Sequence, residues 1–144
     1  MKAIIIASTL VFTLGTGSAF AQNCASGTLI SQIQIQNLLT SKYACVGTPP
    51  TASWNELHSG GSVIDYKLGP THAVDPSKTV GSYSFSGQAI GAVTYIYLNG
   101  GGTYSYNIRN NLGGTLGTGG SGSFSFCGIG GAPNLAVKVQ ASNC

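Results

Sequence analysis

The side chains able to do acid–base chemistry in this chain are few, and they crowd together. All three carboxylates, Glu56, Asp65 and Asp75, and both histidines, His58 and His72, lie between positions 56 and 75. The only tryptophan, Trp54, stands two residues upstream. A carboxylate beside a histidine is the pairing of a general base with its orienting partner, the core of a small hydrolase. Two histidines and a carboxylate are also a donor set for a metal ion. Each residue has a structural explanation as well. Ser53-x-x-Glu56 matches a capping box, in which serine caps the backbone N–H groups of a new helix and glutamate reaches back. Asp75-Pro76 reads as a turn, and Trp54 as core. No E-x-x-H or H-E-x-x-H spacing is present. The window is therefore a candidate polar cluster, with no catalytic residue and no metal assigned.

The tyrosines form a second constellation. Tyr95, Tyr97, Tyr104 and Tyr106, together with Trp54, are candidate binding aromatics: turned outward, they could stack on sugar rings or on a partner, and turned inward they are the wall of a core. No G-x-S-x-G elbow occurs. The run Gly113-Gly114-Thr115-Leu116-Gly117-Thr118-Gly119-Gly120 lacks the G-K-[ST] ending of a phosphate cradle. No cofactor is implied.

The elements that must position these groups begin after an export signal. Lys2, an apolar run from Ala3 to Leu14 and Ala19-Phe20-Ala21 are the three parts of a cleavable signal peptide over residues 1–21. The apolar run is shorter than the roughly 20 residues a spanning helix needs. Gln22 and Asn23 precede Cys24, so that cysteine is not placed for lipid attachment. Residues 22–144 then read as a single domain, secreted or periplasmic, with no membrane span. Charged residues make up only 6% of the chain. The basic ones are scattered and form no patch for phosphates, which argues against nucleic acid. So little charge also removes the repulsion that keeps molecules apart, which points to self-association or attachment to a cell-surface component.

Four cysteines, Cys24, Cys45, Cys127 and Cys144, in an exported chain read as two disulfides. Three pairings are possible. Local closure favours Cys24–Cys45 and Cys127–Cys144, each contributing about 3 kcal/mol on the chain-entropy view.

Residues Leu29–Tyr43 carry Ile35, Leu38, Leu39 and Tyr43 on one helical face, with Thr28 as N-cap. Trp54–Ser59 reads as one or two helical turns ended by Gly60-Gly61. From Val80 onward the period changes to two. Tyr83 and Phe85, Val93 to Tyr97, Tyr104 to Ile108, Phe124 and Phe126, and Leu135 to Val139 each alternate with their neighbours, predicting five strands. Ser62–Lys67 is a possible sixth. Residues 92–98 are apolar on both faces, so that strand should be central or covered on both sides. Exposed on an edge, it would template strand addition. Asn110–Gly122 holds six glycines and no charge and reads as a flexible loop. The expectation is a mainly β fold, an antiparallel sandwich or open barrel of five to six strands with one N-terminal helix.

The run Trp54-Asn55-Glu56-Leu57-His58, Asp65-Tyr66-Lys67-Leu68-Gly69-Pro70, Asp75-Pro76, Val80-Gly81-Ser82-Tyr83 and Phe124-Ser125-Phe126-Cys127-Gly128 resembles a group of small exported proteins of Gram-negative bacteria. That resemblance implies export and disulfides, and no activity or site residues. The C-terminal cysteine pair is faintly similar to the disulfide loop of type IV pilins, but the signal segment lacks their glycine cleavage site and long apolar helix. The functional expectation is a non-catalytic binding or assembly module: a surface, matrix or filament subunit. The alternatives are a small secreted hydrolase built on the 56–75 window, and a carbohydrate-binding or inhibitor module presenting Trp54 and the tyrosines.

Overall fold

The computed structural model describes residues 24–47, 54–66 and 77–144. A two-residue strand β1 (Thr28–Leu29) leads into helix α1 (Gln32–Leu39). Eight strands follow: β2 (Tyr43–Val46), β3 (Trp54–Ser59), β4 (Ser62–Asp65), β5 (Lys78–Gly87), β6 (Gly91–Tyr97), β7 (Gly102–Asn110), β8 (Gly122–Ile129) and β9 (Leu135–Gln140). Each pairs antiparallel with the next, and β9 returns to β2 with Val139 opposite Ala44. The sheet is thus a closed eight-stranded antiparallel barrel, with β1 added beside the end of β7. The mainly β class and the short helix stand. The expected five or six strands become nine, and the sheet is neither open nor a sandwich.

Period-two alternation decides which side chains enter the barrel. Tyr83, Val93, Tyr95, Tyr106, Ile108, Phe124, Phe126, Val137 and Val139 are buried, and they occupy the faces that the alternation marked as apolar. Each such side chain stabilises by about 1.5–3 kcal/mol on burial. The opposite face carries hydroxyls: Ser82, Ser84 and Ser86 are exposed on β5, and the Thr94 and Ser105 side chains meet at 2.8 Å across β6 and β7. Strand β6 is hydrogen-bonded on both sides and has no unpaired edge. It is central, yet Ile96 on its outer face is 52% exposed, so it is not covered on both sides.

The helix is shorter than its periodicity implies. Ser31, not Thr28, is the N-cap. Its Oγ accepts from the Gln34 N–H, and Gln34 Oε1 accepts from the Ser31 N–H at 2.8 Å. Thr28 and Leu29 instead pair with Asn110 and Arg109, and Tyr43 belongs to β2. Ile35, Leu38 and Leu39 are fully buried in the barrel's core. The Gln32 N–H donates to the Gln88 carbonyl and the Gly91 N–H to the Ile30 carbonyl, tying the helix to the β5–β6 turn. A side chain at Gly91 would collide with the backbone of Ser31 and Gln32. The helix therefore plugs one end of the barrel.

Trp54–Ser59 is also corrected: it is strand, not helix, paired to β2 and β4. Ser53, the supposed cap, lies outside the described residues. The disulfides join Cys24 to Cys127 and Cys45 to Cys144, not the local pairs. Closure explains the correction. Pairing β9 with β2 brings the C-terminal residues to Cys45, and Asn55 Oδ1 accepts the Cys144 N–H at 3.0 Å. With sequence separations of 103 and 99, each bridge taken alone contributes about 4–5 kcal/mol, more than a local loop would. The two disulfides fit an oxidising compartment. No helix among the described residues is long and apolar enough to cross a membrane.

The glycine-rich segment is packed in part, at Gly114, Leu116 and Gly120. Thr115 and Ser121 form a backbone bridge, Leu116 lies against the core, and a side chain at Gly114 would enter the space of the Phe124 ring. Gly114→Ala is expected to destabilise by about 1–3 kcal/mol. Gly119→Ala, whose added methyl meets nothing within 4 Å, should stay within about 0.5 kcal/mol. Denaturant titration of both variants checks the contrast, and equal effects would restore the flexible loop. Non-reducing peptide mapping should recover Cys24 with Cys127 and Cys45 with Cys144. C45S/C144S should lower stability by about 4–5 kcal/mol.

Candidate functional site

Because successive strands run in opposite directions, alternate connections share an end of the barrel. Helix α1 occupies the end with the β3–β4 and β5–β6 turns. The other end carries the β6–β7 and β8–β9 turns and a cavity of about 470 Å³. Its wall is aromatic, formed by Trp54 from β3, Tyr97 from β6, and Tyr104 and Tyr106 from β7. Val80, Leu98, Pro133 and Leu135 complete the apolar lining, and Glu56 supplies its carboxylate. The rings support one another: Trp54 lies 6.0 Å from Tyr106 and 5.8 Å from Tyr95, and Tyr97 lies 6.0 Å from Tyr104. Edge-on and tilted pairs at these spacings attract one another by about 0.5–1.5 kcal/mol each beyond the area they bury.

Two polar links cross the barrel from β3 to β6. The Tyr97 hydroxyl donates to the Glu56 carboxylate, 2.9 and 3.0 Å from its two oxygens. One layer deeper, His58 Nε2 lies 2.8 Å from the Tyr95 hydroxyl and Nδ1 lies 3.2 Å from the Lys42 carbonyl. A carbonyl can only accept, so Nδ1 carries the proton and Nε2 accepts from Tyr95. Burial pushes the Glu56 carboxyl up to about 7; the nearby Asp65 adds to this and the Tyr97 hydroxyl opposes it. Burial likewise brings His58 down to about 4, against the raising effect of the Lys42 and Glu56 backbone carbonyls. The ring is neutral at physiological pH. The Tyr97 hydroxyl is held well above its usual range by burial and by the Glu56 charge, and burial takes Tyr106 to about 12.

Of the candidate aromatics, Trp54, Tyr97, Tyr104 and Tyr106 meet around this cavity, while Tyr95 lies behind it, fully buried. Of the polar window, Glu56 lines the cavity. Asp65 stands opposite Glu56 in the β3–β4 register, and so on the same inward face. His58 is fully buried and away from the cavity, with both ring nitrogens engaged. His72 and Asp75 lie outside the described residues. Among the described residues, no three His, Cys, Asp or Glu side chains gather to hold a metal ion. Val80, Leu98, Pro133 and Leu135 escaped the sequence reading. Their only common signal is position, since each lies at or near a strand end that the meander sends to the same end of the barrel. Comparison with protein-family models, with curated proteins and with solved structures finds no match.

The two buried groups act on stability in opposite directions. Glu56, raised in the fold, contributes most below about pH 4.5 and loses that contribution as pH rises through about 7. His58, lowered in the fold, contributes above about pH 6.5 and loses it as pH falls through about 4. Between these values the effects offset, each worth about 3 kcal/mol. Glu56→Gln removes one of them. The stability of the variant relative to the parent should rise by about 3 kcal/mol from pH 4 to pH 8, read by urea unfolding. A pH-independent difference would place Glu56 in a solvated site.

Proposed function

We propose that the protein is an exported binding module that holds a small, largely apolar ligand in the cavity at the barrel end away from helix α1. The observation that carries the reading is the convergence of four aromatic rings and one buried carboxylate on a single 470 Å³ space. Small-molecule sites share this composition: an apolar wall, a few placed polar groups and a volume of about 300–1,000 Å³. Eight-stranded barrels are wide enough to be filled by side chains or to hold one small ligand. Here the helix and the Tyr95, Phe124 and Phe126 layers fill one part. The signal peptide read over residues 1–21 and the two disulfides support export.

The other readings draw less support. A hydrolase pairing His58 with Glu56 needs an accessible imidazole, and both His58 nitrogens are engaged within the core. Assembly through residues 92–98 needs an unpaired strand edge, and β6 is paired on both sides.

The single tryptophan makes the test direct, because Trp54 lines the cavity. Small aromatic and alicyclic compounds should shift its emission saturably. Val80→Phe, which fills the cavity from β5, should weaken that binding about ten-fold or more while leaving the fold intact. Responses that survive Val80→Phe unchanged, or no response to any compound, would contradict the reading.

A further inference from the structure

We propose that the cavity selects an organic ammonium ion, with Glu56 taking the charged head group and Trp54, Tyr97, Tyr104 and Tyr106 surrounding it. The inference rests on the cavity being a ligand site and adds the charge of the ligand.

The electrostatic sign of the chamber is the first argument. Glu56 is the one charged side chain among the described residues that line it, and the aromatic rings add the negative faces of their quadrupoles. Among the described residues, the neighbours that shift Glu56 are the Tyr97 hydroxyl and the Asp65 carboxylate, neither of them a cation. Lys78 stands opposite Asp65 in the β4–β5 register, and neither of them lines the cavity. An anionic ligand would meet repulsion here.

The second argument is what a ligand can gain. Burial is the largest influence on Glu56, so ionising this carboxylate without a partner is costly, and an ammonium relieves that cost where an alcohol gives only one more neutral hydrogen bond. Glu56 is 6% exposed and lines the cavity, so a ligand seated there would lie beside it. The third argument is geometric. Trp54, Tyr97, Tyr104 and Tyr106 all line the one cavity, so a cation seated there would meet several aromatic rings within the roughly 6 Å at which cation–π attraction operates.

Among the described residues, the titratable groups around Glu56 are Asp65 from β4 with Lys78 of β5 opposite it, Tyr95 and Tyr97 from β6, Tyr104 and Tyr106 from β7, and His58 on its own strand, which is neutral above about pH 4. Ammonium affinity should therefore follow the ionisation of Glu56.

The test titrates the mature protein with phenethylamine and with the uncharged 2-phenylethanol, read by Trp54 emission at about pH 8 and about pH 5.5. At the higher pH the amine should bind about ten-fold more tightly than the alcohol. The preference should fade at the lower pH, where Glu56 is protonated and the amine still charged, and vanish in Glu56→Gln at both. If that variant does not fold, the pH comparison on the parent protein carries the same decision. Saturable binding of both compounds with equal affinity at about pH 8 overturns the ammonium inference and leaves the ligand site standing. An amine preference retained in a folded Glu56→Gln overturns the assignment to Glu56. Silence towards both compounds, while other aromatic probes shift Trp54, overturns the inference alone; silence towards every probe is the failure of the ligand-site reading itself.

Discussion

Hydrogen bonding between β2 and β9 is the constraint on which the rest of the molecule depends. Eight short strands with one apolar face would otherwise leave two open edges and a core facing water. Closure pairs both edges and turns every alternate side chain into a common interior. It also determines the covalent framework. Cys45 on β2 and Cys144 after β9 meet because the sheet closes, and the N-terminal segment carrying Cys24 meets β8 because β1 runs along β7.

A closed barrel of this size must still deal with its two ends. At one, helix α1 delivers Ile35, Leu38 and Leu39, and the glycine-rich segment before β8 packs against Phe124. At the other, tyrosine and tryptophan rings stand around a space with a carboxylate beside it. The interior thus grades from aliphatic packing under the helix, through the His58–Tyr95 layer, to the Glu56–Tyr97 layer beside the cavity. Both polar layers run from β3 to β6 across the barrel, so the same strand pair braces the interior and presents the carboxylate. A buried acid is tolerated because the Tyr97 hydroxyl satisfies it and because at physiological pH it shares its site with a proton for much of the time.

Much of the later half was legible because its inward residues are apolar. The alternations around Tyr83, Tyr95, Tyr106, Phe124 and Val137 named the correct face in each strand. The strand at Trp54 was hidden for the opposite reason. Trp54, Glu56 and His58 alternate as strictly as any, but two of the three are polar, and polarity at inward positions reads as a solvated turn. The gathering of Trp54 with the tyrosines in one place followed from closure of the sheet, which no local pattern displays. Disulfide partners were misjudged because proximity along the chain stood in for proximity in space, and closure reverses the two. The glycine run misled because its packing depends on the ring of Phe124, not on side chains of its own. The helix boundary failed at Thr28 and Leu29, where backbone pairing with β7 overrides a plausible cap.

The central claim is closure, and nuclear Overhauser contacts across its seam test it most directly. Backbone protons of Ala44 and Val139, nearly a hundred residues apart in sequence, should show strong cross-strand contacts, with β2 and β9 amides protected from exchange like those of β6. Absent contacts, together with β2 and β9 amides exchanging as fast as a frayed sheet edge, would contradict the barrel and the cavity built on it.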